Sequence, residues 1–235
     1  MNRFGVEGLV VIGGNGSLTG ALKLCEQRVA VVGLPGTIDN DLSGTDTTIG
    51  VDTTLNTILD AIDKIKDTAS SHQRAFLIET MGRNCGYLAL MGGIAGGAEL
   101  VLIPEIETSL DDVAQVLSDA YVRGKAHCII IVAEGWRPGT QALAEYLRER
   151  KDELGFEVRT TVLGHVQRGG SPSAYDRILA TRLGAEAVDA LYEGVSGVMV
   201  GLVGGRLTRT PLAEVVKPVN KVKPELYKLQ KMMEK

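Results

Sequence analysis

The chain has 235 residues, 44% of them hydrophobic, enough to bury a sizeable core in one or two domains. Its formal net charge of −4, from 25 basic and 29 acidic residues with the bases dispersed, argues against a nucleic-acid surface. Cys25, Cys85 and Cys128 are irregularly spaced, fitting neither a disulfide framework nor a zinc site, and read as reduced thiols in a cytoplasmic protein. The most apolar region, Tyr87 to Pro104, is interrupted by glycines and Glu99 and is no membrane span.

Strand-like apolar runs alternate with helical patterns, the signature of βαβ units around mainly parallel sheets. Strands are expected near 8–12, 29–33, 75–79, 100–103, 128–133, 157–163 and 197–203. The first begins within a few residues of Met1, with no earlier helix to cover its other face, and a parallel strand buried on both faces needs such cover. Gly13-Gly14-Asn15-Gly16-Ser17 follows it. A glycine loop between strand and helix offers backbone N–H groups to a phosphate at the positive end of the helix dipole; alone it could equally be a turn.

The second strand, Val29 to Gly33, leads into Pro35-Gly36-Thr37-Ile38-Asp39-Asn40-Asp41. In an extended segment Thr37, Asp39 and Asp41 would share one side, so that one carboxylate could act as a base and another hold a cation. A loop of Asx-turns is the alternative for this run. Phosphate cradle and carboxylate pair, each ending a strand, together suggest phosphoryl transfer.

Leu55, Ile58, Leu59, Ile62 and Ile65 recur at helical spacing after this loop. Met81-Gly82-Arg83 follows the third strand, with Arg74 at that strand's start, and Glu134 ends the strand Ile129-Ile130-Ile131. Ser109 with Asp112 predicts a helix opening that runs to Gly124. Thr140 to Leu154, Tyr175 to Tyr192 and Lys223 to Glu234 read as further helices. Arg159, His165 and Arg168 add cationic groups; arginine forks match phosphate oxygens bidentately. His72 and His127 read as surface residues, and Trp136 as a packing residue beside Glu134.

With these residues assembled, the chain resembles 6-phosphofructokinases of the bacterial type from about Gly5 to its C-terminus. The resemblance rests on Gly-Gly-Asn-Gly-Ser (13–17), Pro-Gly-Thr-Ile-Asp-Asn-Asp (35–41), Met-Gly-Arg (81–83), Val-Ala-Glu-Gly (132–135) and Leu-Gly-His-Val-Gln-Arg-Gly-Gly-Ser-Pro (163–172). It implies an α/β fold of two Rossmann-like three-layer domains: residues 1–50 plus 167–217 for ATP, and 51–166 plus 218–235 for fructose 6-phosphate and an effector. It also implies a cytoplasmic homotetramer, dependent on Mg2+, that binds neither nucleic acid nor membrane.

By the same resemblance Asp39 is the general base toward the sugar's 1-hydroxyl, Thr37 stands beside it, and Arg83 stabilises the transferring phosphoryl group. Met81, Gly82 and Glu134 line the sugar site. His165 and Arg168 clamp the 6-phosphate, completed by Arg74 and Arg159 from a neighbouring subunit. Gly14, Asn15, Gly16, Ser17 and Gly20 belong to the ATP site, with Asn15 and Asp41 at the magnesium. Lys66, Glu99, Arg123, Lys125 and His127 fall where relatives bind an ADP or phosphoenolpyruvate effector. Small residues at Gly16 and Gly36 leave room for a nucleotide and favour ATP over pyrophosphate as donor.

The chain departs from the pattern in three places. Asn15 stands where an aspartate is usual, and Lys66 where an arginine is usual. The first quarter of the usual chain is missing, which implies either a fragment of a complete kinase or a short sugar-phosphate-binding protein without turnover.

Overall fold

The computed structural model describes residues 5–69, 74–217 and 222–233. Met1–Phe4, His72 and Glu234 therefore lie outside the described residues. Among the described residues strands and helices follow in the order β1 (Gly8–Gly13), α1 (Asn15–Glu26), β2 (Ala30–Pro35), α2 (Val51–Ala69), β3 (Arg74–Thr80), α3 (Tyr87–Gly96), β4 (Leu100–Leu102), α4 (Leu110–Val122), β5 (His127–Ala133), α5 (Thr140–Glu149), α6 (Lys151–Leu154), β6 (Glu157–Val162), α7 (Ala174–Tyr192), β7 (Val198–Val203), β8 (Arg206–Pro211), α8 (Leu212–Val215) and α9 (Pro224–Met233). They form two units, Met1–Thr53 with Ser171–Asn220, and Thr54–Gly170 with Lys221–Lys235.

The first unit holds a sheet of order β1-β2-β7-β8, parallel except for the β7–β8 hairpin. Alternation along β2 sends Val31 to one face, with Leu18 and Ala21 of α1 and Leu212 of α8, and Val32 and Leu34 to the other, with Leu179 and Leu183 of α7. At the sheet's edge, β1 keeps Leu9 and Val11 on the α1 side, while Val10 and Ile12 are 38% and 65% exposed.

The second unit holds a fully parallel sheet of order β4-β5-β3-β6. One face carries Leu77, Leu102, Ile130 and Val132 against Val113 and Leu117 of α4 and Leu143 and Leu147 of α5. On the other face α3 fits closely: a Cβ at Gly93 would lie 2.3 Å from Val101 Cγ2, and one at Gly92 would lie 2.8 Å from Ile58 Cγ2 of α2. Glycines in α3 are thus a packing device, not breakers.

Ser109 caps α4 in a reciprocal box with Asp112, as its spacing predicted. The helix predicted over Thr140 to Leu154 is instead two, broken at Arg150, whose ψ of 16° opens the turn before α6. His127 is half-buried as the first residue of β5, and its Nδ1 is buried without a partner.

Candidate active site

In the first unit the glycine loop and the aspartate loop leave adjacent strands at the same end, since Gly13 pairs with Pro35. Gly36 N donates to Gly13 O at 3.0 Å, and a Cβ at Gly14 would lie 3.2 Å from Thr37 Cβ. Gly14 is the N-cap of α1 with no side-chain hydrogen bond, so the first N–H groups of Asn15, Gly16 and Ser17 head the helix without intrahelical acceptors. Gly16 and Gly20, one turn apart, are exposed, and a Cβ on either would meet nothing within 4 Å. Gly36 is different: a Cβ there would lie 2.9 Å from Ile12 Cγ2, so its small size serves the protein's own packing.

The aspartate loop is not extended. Ile38 and Asp39 bend, Thr37 Oγ1 accepts from Asp39 N at 3.3 Å, and Asn40 takes a left-handed φ of 51°. Thr37, Asp39 and Asp41 are therefore not placed by strand alternation. Asn40 turns inward, 1% exposed, while Asp39 and Asp41 stay half-buried on either side of it. One carboxylate oxygen of Asp41, Oδ1, is buried without a hydrogen-bond partner. Asn15 keeps its side chain loosely engaged, its Oδ1 accepting from Thr19 Oγ1 at 3.4 Å.

In the second unit three loops meet at the carboxyl ends of β3, β5 and β6. Glu134 N donates to Thr80 O at 2.9 Å, Gly135 N to Gly82 O at 3.2 Å, and Leu163 N to Glu79 O at 3.0 Å. Met81 and Gly82 are buried; Arg83 and Glu134 are exposed. Gly82 needs its φ of 132°, and a Cβ at Gly135 would lie 1.9 Å from Arg83 O, so both glycines are required by backbone contact. After β6 a 3-10 turn, Gly164–Arg168, presents His165 and Arg168 to solvent and buries Gln167 between them.

Arg74 and Arg159 are elsewhere on the same sheet. Both ion-pair with Glu157 at the amino ends of β3 and β6, at 3.2 and 2.6 Å. The length of β3 separates Arg74 from Met81 by about 23 Å at 3.3 Å per residue. Within one chain these arginines do not join His165 and Arg168. Arg159 also borders an open groove of about 630 Å³ with Arg148 and Lys151.

The expected effector residues largely gather at that amino end. Glu99 accepts Ile129 N at 2.7 Å on one oxygen and pairs with Lys125 at 3.2 Å on the other. Lys66 donates to Gly96 O, and Gln230 of α9 donates to Glu99 O at 3.2 Å. Glu99, Lys125 and Arg123 all act on the buried Cys128, whose thiol burial pushes well above its ordinary range. No group of three His, Cys, Asp or Glu side chains able to hold a metal occurs among the described residues.

Two layered α/β units with polar loops at the carboxyl ends of their strands define a ligand-binding chain of the Rossmann-like class. The sequence profile described as Phosphofructokinase matches residues 1–191. The chain belongs to that family. It is 52% identical over 229 residues to the ATP-dependent 6-phosphofructokinase of Halalkalibacterium halodurans, covering 97% of this chain and 70% of that protein. The phosphofructokinase structure from Saccharomyces cerevisiae matches with a TM-score of 0.80 and 39% identity, over 91% of this chain and 32% of that one. A pyrophosphate-dependent phosphofructokinase from Marinobacter aquaeolei matches with a TM-score of 0.80 and 25% identity, over 95% of this chain and 63% of that one. Among the described residues no helix is long and apolar enough to cross a membrane.

Two features of these loops escaped sequence reasoning: the left-handed turn at Asn40 and the burial of Gln167. The only signal for either was a neutral amide inside a charged motif.

Proposed function

We propose that the chain is an ATP-dependent 6-phosphofructokinase of the cytoplasm, moving the γ-phosphoryl group of ATP to the 1-hydroxyl of fructose 6-phosphate in glycolysis. The observation that carries this reading is the meeting of Met81–Arg83, Glu134 and His165–Arg168 on adjacent strand ends, in a chain 52% identical to a named ATP-dependent enzyme. Phosphoryl transfer asks little covalent chemistry of a protein; catalysis is positioning and charge stabilisation.

In this reading the first unit binds ATP, and the second, which includes the turn Gly164–Arg168, binds the sugar and an effector. Asp39 takes the proton of the 1-hydroxyl, with Thr37 fixing its backbone. Arg83 offsets the charge that develops on the transferring group. Glu134 binds sugar hydroxyls beside Met81 and Gly82, and His165 and Arg168 hold the 6-phosphate. Gly14, Asn15, Gly16, Ser17 and Gly20 receive the nucleotide on the open face of α1. The unpartnered oxygen of Asp41 suits a cation, and Mg2+, held by few protein groups and by substrate phosphates, would be bound by Asp41 and Asn15 and would neutralise phosphate charge there.

Arg74 and Arg159, remote from the clamp of their own chain, complete the clamp of a neighbouring subunit in a homotetramer. Lys66, Glu99, Arg123, Lys125 and His127 receive the phosphates of an ADP or phosphoenolpyruvate effector. The open space beside Gly16 supports ATP as donor.

The test is a coupled assay for fructose 1,6-bisphosphate on the 235-residue chain with fructose 6-phosphate, magnesium and either ATP or pyrophosphate. Turnover with ATP, reduced by about 10²–10⁴ in Asp39→Ala as expected for loss of a general base, supports the reading. Folded protein that turns over with neither donor overturns it.

A further inference from the structure

Gln167 is 1% exposed, yet lies in a turn whose neighbours on both sides are in solvent. Its side chain is used at both ends. Oε1 accepts the backbone amide of Met81 at 3.2 Å, and Nε2 donates to the carbonyl of Gly164 at 3.0 Å. Its own carbonyl accepts from the buried Thr54 Oγ1 at 2.9 Å, which fixes the turn from below. One amide therefore connects the loop that carries Arg83, two residues beyond Met81, to the turn that carries His165 and Arg168.

Resting on the kinase reading above, we propose that Gln167 is a positioning residue that holds the phosphoryl-transfer arginine and the 6-phosphate clamp in register, so that the two ends of the sugar are gripped at the correct spacing. An amide is the side chain that fits. Oε1 needs lone pairs for Met81 N–H and Nε2 needs a proton for Gly164 O, whereas glutamate offers only acceptors and methionine neither group. Since small misplacements of reacting groups cost large factors in rate, each bond governs its own parameter: the Met81 bond sets kcat through Arg83, and the Gly164 bond sets KM for fructose 6-phosphate through the clamp.

The experiment is steady-state kinetics of the 235-residue chain with ATP and fructose 6-phosphate, comparing Gln167→Met and Gln167→Glu with the parent. Gln167→Met is expected to lower kcat and raise KM for fructose 6-phosphate, each by about tenfold, with KM for ATP within about twofold. Gln167→Glu, which still accepts from Met81 but faces Gly164 O without a proton, is expected to raise KM for the sugar while kcat stays within about threefold of the parent. Parent-like constants in Gln167→Met overturn the proposal. So does an equal fall in kcat in both variants with unchanged KM values, the mark of a merely structural residue.

Should either variant fail to fold, hydrogen exchange on the parent decides: saturating inorganic phosphate, which can occupy the clamp without a sugar beside Met81, is expected to slow exchange of the Met81 amide in the parent and not in Arg168→Ala. Unchanged exchange overturns the proposal. A parent that neither binds fructose 6-phosphate by calorimetry nor turns it over overturns the kinase reading itself, and this inference with it.

Discussion

Asn40 accepts the backbone amide of Thr48 on its side-chain oxygen at 3.1 Å, and its Nδ2 donates to the carbonyl of Asp46 at 3.3 Å. A buried asparagine with a φ of 51° thus stands between the two carboxylates assigned to base and cation. Asparagine tolerates this left-handed conformation better than most residues because its short amide bonds locally. The loop keeps its shape through that amide, and Asp39 and Asp41 are aimed by it.

Replacing Asn40 by alanine leaves the Thr48 amide buried without an acceptor and keeps a Cβ in left-handed backbone. The expected loss is about 2–3 kcal/mol from these two effects together. Asn40→Gly removes the same hydrogen bonds but tolerates the backbone, so it should lose roughly 1 kcal/mol less. Urea unfolding of both variants checks the order. Reversal of that order would mean that backbone conformation is not what selects asparagine here.

A second buried anchor is Asp176 at the start of α7, 2% exposed. Its carboxylate accepts from Gly50 N and Thr53 N, each at 2.9 Å, and from the Thr53 hydroxyl. It supplies, from a distant part of the sequence, acceptors for N–H groups at the start of α2. Asp176→Ala removes the acceptor from two N–H groups and a hydroxyl, and is expected to cost about 2–4 kcal/mol. Chemical denaturation measures this, and a loss below about 1 kcal/mol would show that water replaces the carboxylate.

These two residues show where sequence reading ends. Strand runs such as Ile129–Ile131, the capping box at Ser109 and the periodic apolar residues of α2 were legible because each signal is local. Helix α3 was not: buried between α2 and the sheet, it has no polar face to give periodicity, and its glycines resemble breakers. Strand β8, Arg-Leu-Thr-Arg-Thr-Pro, is a polar edge strand that exists by pairing with β7. Asp39, Arg83, Glu134, His165 and Arg168 could be named as motif members, but the amides that orient their loops, Asn40 and Gln167, acquire partners only through folding.

Gly93 tests the packing account of α3. Alanine is the better helix former by about 1 kcal/mol, so an exposed site would gain stability. Here the new Cβ meets Val101 Cγ2 at 2.3 Å, and Ile131 Cγ1 is 3.6 Å away. Overpacking of this kind outweighs propensity, and Gly93→Ala should lose about 1–3 kcal/mol net. A thermal melt equal to or above the parent would contradict that packing.

Gly135→Ala separates loop geometry from bulk stability. Its Cβ would strike the carbonyl of Arg83, backbone against backbone, so the Arg83 loop must move relative to Glu134. Because near-attack geometry is lost rather than a core contact, kcat/KM should fall by about 10² or more. Circular dichroism and kcat/KM on the same sample separate the two effects; parent-like kinetics would remove Arg83 from the reacting centre.

The cysteines give a prediction independent of turnover. Cys128 is buried in β5, where burial, followed by the charge of Glu99, holds its thiol protonated against the smaller opposing pull of Lys125 and Arg123. Since the thiolate is the nucleophile, a raised pKa and no exposure both suppress its reaction. Cys25, half-buried at the end of α1, lacks that enclosure. Iodoacetamide at pH about 8, near the reference thiol pKa, should modify Cys25 in the native protein and reach Cys128 only after denaturant is added. Peptide mass spectrometry reads both sites. Equal labelling of the two in the native state would mean that the α4 face of the second sheet opens on the timescale of the reaction, and the burial of Leu117, Ile130 and Val132 around Cys128 would have to be revised with it.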